Sequence, residues 1–116
     1  MSGVDSGADI SAVLEIYVYF RAAPAREDAV RAALAKQRTL AGLACGAQLR
    51  AGLRMEAPDA ASDWLTWLEV YRFEGRVATQ GWPAATLEAI ERCAAASGLA
   101  DCALAGRHRE VFRMAD

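Results

Sequence analysis

The sequence predicts an α+β domain ordered strand, helix, strand, strand, helix, strand, with a four-stranded antiparallel sheet and both helices on one face. Three observations carry this expectation. Four stretches alternate apolar and polar residues with the period of two that a strand requires. Two stretches between them repeat apolar residues at helical spacing. Each helical stretch has proline near its start and a Gly-Leu pair at its end, where a left-handed glycine stop is favoured.

The first strand runs from Leu14 to Arg21, with Leu14, Ile16, Val18 and Phe20 on one side and Glu15, Tyr17, Tyr19 and Arg21 on the other. Pro24 opens the first helix, Glu27 and Asp28 suit the positive end of its dipole, and Val30, Ala33, Leu34 and Leu40, with Gln37, mark its buried side. Gly42 and Leu43 place the end of that helix near Ala41. From Gly46 to Met55, Ala47, Leu49, Ala51 and Leu53 oppose Gln48, Arg50, Gly52 and Arg54; the two glycines mark a bent edge strand. A turn-rich loop over 56–63 joins it, as a hairpin, to the strand from Trp64 to Tyr71. In that strand Trp64, Thr66, Leu68 and Val70 are expected under the helices, and Leu65, Trp67, Glu69 and Tyr71 on the open face. Residues 74–76 and 80–81 read as loop. Pro83 starts the second helix, Leu87, Ile90, Cys93 and Ala94 form its stripe, and Gly98-Leu99 ends it. After an irregular stretch to Gly106, the last strand spans Arg107 to Arg113, with His108, Glu110 and Phe112 opposite Arg109 and Val111. Right-handed crossovers give the sheet order last, first, third, second, which is the ferredoxin-like arrangement.

A chain of 116 residues is one domain's worth; residues 1–12, small and polar, are expected to be a flexible lead-in to a domain over 13–116. With 54% hydrophobic and 24% charged residues the chain is not of the disordered class. A net charge of −2 and scattered arginines leave no footprint for nucleic acid. No apolar run approaches the ~20 residues of a membrane helix, and the N-terminus lacks a signal peptide's basic start and apolar core, so a cytoplasmic location is expected. Cys45, Cys93 and Cys102, without C-x-x-C spacing, fit neither a disulfide framework nor a zinc site and are expected to be reduced thiols.

The run Thr66-Trp67-Leu68-Glu69-Val70-Tyr71, the pair of tyrosines in Tyr17-Val18-Tyr19 and the ending Gly106-Arg107-His108-Arg109-Glu110-Val111-Phe112 resemble an uncharacterised bacterial family of dimeric α/β-barrel domains. More distantly the chain resembles antibiotic-biosynthesis-type monooxygenases, stress-responsive barrel proteins and haem-degrading relatives of that superfamily. The resemblance implies a homodimer, sheet packed against sheet, with a cavity in each subunit. It implies no particular reaction, because the nearest family has no assigned activity.

An open face carrying Tyr17, Tyr19, Arg50, Trp67, Tyr71 and Glu110 is too aromatic for bulk water and too charged for a dry core, so these residues are the candidate ligand contacts. His108, the single histidine, and Glu69 are the candidate catalytic groups, with a Glu–Tyr–His chain across the face. One histidine per chain argues against a metal site, no phosphate loop occurs, and no cofactor is implied. The expected function is binding of a small aromatic or acidic organic molecule by a homodimer. The alternatives are a cofactor-independent monooxygenase in which His108 or a tyrosine takes a phenolic proton, and a structural or regulatory dimer without a ligand.

Overall fold

The computed structural model describes residues 9–11, 13–55, 63–73, 76–78 and 83–115. The expected lead-in up to residue 8 and most of the 56–63 loop lie outside them. The elements are β1 (Asp9–Ser11), β2 (Leu14–Ala22), α1 (Glu27–Cys45), β3 (Gln48–Leu53), β4 (Leu65–Phe73), β5 (Arg76–Ala78), α2 (Ala84–Ser97), α3 (Leu99–Cys102) and β6 (His108–Arg113). The main sheet has the order β3-β4-β2-β6, all neighbours antiparallel. Asp9–Ser11, expected within the lead-in, and Arg76–Ala78, of which Arg76 is expected in a loop, pair with each other as a separate two-stranded ribbon.

The first helix does not stop at Gly42. It continues a further turn, and Gly46, at φ 70°, takes the left-handed cap while its N–H donates to the Gly42 carbonyl at 3.0 Å. A stop at Gly42 needs Leu43 to make an apolar contact, but Leu43 is 82% exposed. The residue after Gly46 is Ala47, which is buried, so the chain turns inward there. The second helix ends as expected: Gly98 is left-handed at φ 88° and Leu99 is fully buried behind it.

The larger correction concerns β4. Antiparallel partners share a sheet face, and the register sets Ile16 opposite Tyr71, Val18 opposite Glu69 and Phe20 opposite Trp67. Trp67, Glu69 and Tyr71 therefore lie with the apolar residues of β2, under the helices. Thr66, Leu68 and Val70 lie on the open face beside Tyr17, Tyr19 and Arg21. Shifting the pairing by one residue would exchange the two sets. The observed register is the one in which Gln37 of α1 meets the Tyr71 hydroxyl and Arg107, just before β6, meets the Glu69 carboxylate.

The core divides into two clusters along the sheet. Ile16, Val18, Leu49, Tyr71, Phe73 and Ile90 belong to one; Phe20, Val30, Leu34, Trp67, Ala94 and Leu99 belong to the other. Each fully buried aliphatic or aromatic side chain contributes about 1.5–3 kcal/mol, so these clusters hold both helices to one face. Among the described residues no helix packs on the other face.

Candidate functional site

The structure separates the expected site into two groups on opposite sides of the sheet. Tyr17, Tyr19, Arg50, His108 and Glu110 share the open face, as the pairing of Tyr17 with Glu110 and Tyr19 with His108 requires. Trp67, Glu69 and Tyr71 are on the helix side, so no Glu69–Tyr–His108 chain crosses the open face.

The open-face group has two centres. In one, the Tyr17 hydroxyl donates to Glu15 Oε1 at 2.8 Å, and Arg50 and Arg72 approach Glu15 Oε2 at 3.7 and 3.8 Å. Glu15 is only 3% exposed although it faces away from the helices. Phe112 meets the Tyr17 ring edge-on at 5.4 Å. In the other centre the Tyr19 hydroxyl donates to Glu110, and the Tyr19 and His108 rings stack at 6.4 Å. The hydrogen bonds to Glu15 and Glu110 hold both phenols above the ordinary tyrosine value. Beside Tyr19 and His108 opens a cleft of about 260 Å³, lined also by Phe20, Arg21, Arg54, Thr66, Ala105 and Gly106. Arg21 lies over the Trp64 ring at 4.6 Å. Among the described residues no carboxylate pairs with Arg54 and no group hydrogen-bonds the His108 ring.

On the helix side a polar chain runs through the core. Arg107 grips Glu69 with two bonds, Nη1 to Oε2 at 2.6 Å and Nη2 to Oε1 at 3.1 Å, and its Nε donates to Glu91 at 3.1 Å. The Tyr71 hydroxyl donates to Glu69 Oε1 and accepts from Gln37 Nε2 at 2.9 Å. Ser97 donates to Gln37 Oε1 at 3.0 Å. Burial raises the Glu69 carboxyl above the ordinary carboxylate value, against the pull of Arg107 and the bond from Tyr71. Burial also raises the Tyr71 phenol, and the two carboxylates keep Arg107 charged. Both oxygens of Glu69 are occupied, so this chain ties β4, α1, α2 and the start of β6 together.

The thiols offer little chemistry. Cys93 and Cys102 are buried, and burial raises the Cys45 thiol, leaving it protonated near neutral pH. Among the described residues no group of three or more His, Cys, Asp or Glu side chains is placed to hold a metal, and no helix is long and apolar enough to cross a membrane.

Arg21, Arg54 and Thr66 of the cleft, Glu15, and Arg107 were absent from the sequence-derived site. Glu15, Arg21 and Arg54 carried a usable signal, since they alternate in phase with Tyr17, Tyr19 and Arg50. Arg107, expected as the first residue of the last strand, instead precedes β6, and only the fold brings it to Glu69.

No protein-family model and no curated protein matches this sequence. Solved structures do match its shape. A provisionally named antibiotic biosynthesis monooxygenase from Bordetella bronchiseptica is 15% identical, with a TM-score of 0.64 over 90% of this chain and 98% of that one. A dimeric ferredoxin-like protein of unknown function from Thermobifida fusca is 16% identical, with a TM-score of 0.53 over 90% and 92%. The fold of this chain is ferredoxin-like. A protein of unknown function from Nitrosomonas europaea shares it at 17% identity and a TM-score of 0.54, over 90% of each chain.

Proposed function

We propose that the protein is a homodimer that binds a small aromatic acid in the open-face cleft between Tyr19, His108, Arg21 and Arg54. The observation that carries this is the lining itself: two stacked rings beside two guanidinium groups, with no carboxylate among the described residues of the wall. The rings suit a planar body and the arginines a carboxylate. The dimer rests on the uncovered aromatic face and on the dimeric state of the Thermobifida fusca protein of the same fold. Calorimetric titration with 4-hydroxybenzoate tests the reading. Arg54→Gln should weaken binding about tenfold or more, the loss of one charge-assisted pair; equal affinity in that variant removes the site.

A second reading is a cofactor-independent monooxygenase acting on a phenol, as the name of the Bordetella bronchiseptica protein suggests. His108 favours it, because the ring lines the cleft and no described residue hydrogen-bonds its nitrogens. Tyr19 is a poor base, since its hydrogen bond to Glu110 holds its own proton. In this reading His108 takes the phenolic proton, and dioxygen oxidises the electron-rich ring to a quinone, its second atom leaving as water. Oxygen uptake with a panel of phenols should collapse in His108→Ala; uptake unchanged by that substitution excludes His108 as the base.

A further inference from the structure

A second recess lies on the other side of the sheet, between α1 and the edge strand β3, and shares no lining residue with the cleft. Its volume is about 280 Å³. Arg31, Leu34 and Arg38 face it from one side of α1, and Ala51 and Leu53 from β3, with Trp67 behind them. Arg38 is anchored, its Nε donating to the Leu49 carbonyl at 3.1 Å. Its two terminal nitrogens have no partner among the described residues. Arg31 is held by Glu27 at 2.9 Å and lies 5.5 Å from the Trp67 ring centre. Trp67 is 2% exposed, yet its indole N–H has no acceptor among the described residues. Native cores rarely leave such a donor unpaired, because the loss is not recovered elsewhere. The recess is thus lined by an anchored guanidinium with free donors, by two leucines and by the tryptophan that carries the unpaired indole N–H.

We infer that this recess binds a small organic carboxylate with an apolar body. The carboxylate accepts from the terminal nitrogens of Arg38 and from the Trp67 indole, while the body packs on Leu34 and Leu53. Arg31, on the exposed side, moves off the indole to admit it. The leucine walls favour an aliphatic acid over inorganic phosphate, which is more strongly hydrated and has no apolar part to bury.

The test uses the full chain and follows the Trp67 indole N–H resonance, assigned by its absence in Trp67→Phe, during titration with butyrate. Butyrate has no ring for the Tyr19–His108 stack, so the two sites are read separately. The resonance should move saturably, and Arg38→Gln should raise the half-saturation concentration about tenfold or more. Arg38→Lys, which keeps the charge without the fork, should fall between the two. Arg54→Gln, at the open-face cleft, should leave the curve unchanged. An indole resonance that does not respond to butyrate overturns the inference, as does an Arg38→Gln protein that keeps the native spectrum and titrates like the parent. A response to phosphate but not to butyrate overturns the ligand class.

Discussion

A carboxylate without solvent contact persists in a core only when its charge is matched and its oxygens are filled, and at Glu69 one residue, Arg107, supplies most of both. Arg107→Ala leaves the carboxylate with Tyr71 alone and should cost about 3–5 kcal/mol, the range for breaking a buried pair, read as a lower midpoint in urea. The dependence on pH has a definite sign. Burial raises the Glu69 carboxyl above its ordinary value, so the folded chain holds that proton more tightly than the unfolded chain. The associated stability is full below the ordinary carboxylate range and is lost as pH rises through the folded value. Without Arg107 the carboxyl rises further, so the deficit of Arg107→Ala should be larger at neutral pH than in acid. In Glu69→Gln, which cannot ionise there, this decline with pH should be absent. A deficit independent of pH would show that Arg107 acts through packing on Phe20, over which its guanidinium lies at 5.8 Å.

Individual elements show which parts of the structure were legible in the sequence. The four strands of the main sheet followed from alternation and their order from crossover handedness, and the open-face group of Tyr17, Tyr19, Arg50, His108 and Glu110 followed with them. The facing of β4 did not, because both of its sides alternate equally well: Trp64, Thr66, Leu68 and Val70 against Leu65, Trp67, Glu69 and Tyr71. Burying the second set requires hydrogen-bond partners that come from α1, α2 and the residue before β6. The hints were Gln37 and Ser97, polar residues at buried positions of two helices. The end of α1 was misplaced for a simpler reason: two glycines four residues apart both offer a stop, and only backbone conformation decides between them. That gives opposite predictions for one substitution. Gly46→Ala forces a side chain into the left-handed region at φ 70° and should destabilise the fold by about 1 kcal/mol. Gly42→Ala adds a helix-favouring residue whose Cβ would sit 3.7 Å from the Ala47 carbonyl oxygen, ordinary contact, and should stabilise it by about 0.5–1 kcal/mol. Thermal melts of the two variants should move in opposite directions; a loss in both would place the helix end at Gly42 after all.

For the whole molecule, the organising asymmetry is a sheet covered on one face and bare on the other. The bare face is neither a solvated surface nor a core. Glu15 is almost fully buried on it by Tyr17 and two arginines, while Phe112 remains 46% exposed beside Tyr17. A second copy packed on this face would cover Phe112 and narrow the nearby cleft, so dimerisation and binding should be linked: whatever favours the dimer also favours the ligand. Phe112 does not line the cleft, which makes it the residue for separating the two effects. Light scattering should give twice the 12.4 kDa chain mass for the parent protein at micromolar concentration. Phe112→Arg, which places a charge where an apolar contact is expected, should shift the mass toward a single chain without changing the far-ultraviolet circular dichroism. If the partner completes the cleft, that monomer should bind 4-hydroxybenzoate at least tenfold more weakly than the parent, and Arg54→Gln should add little to the loss. A monomeric Phe112→Arg protein of parental affinity would instead mean that the cleft of one chain is sufficient, and that the bare face serves assembly alone.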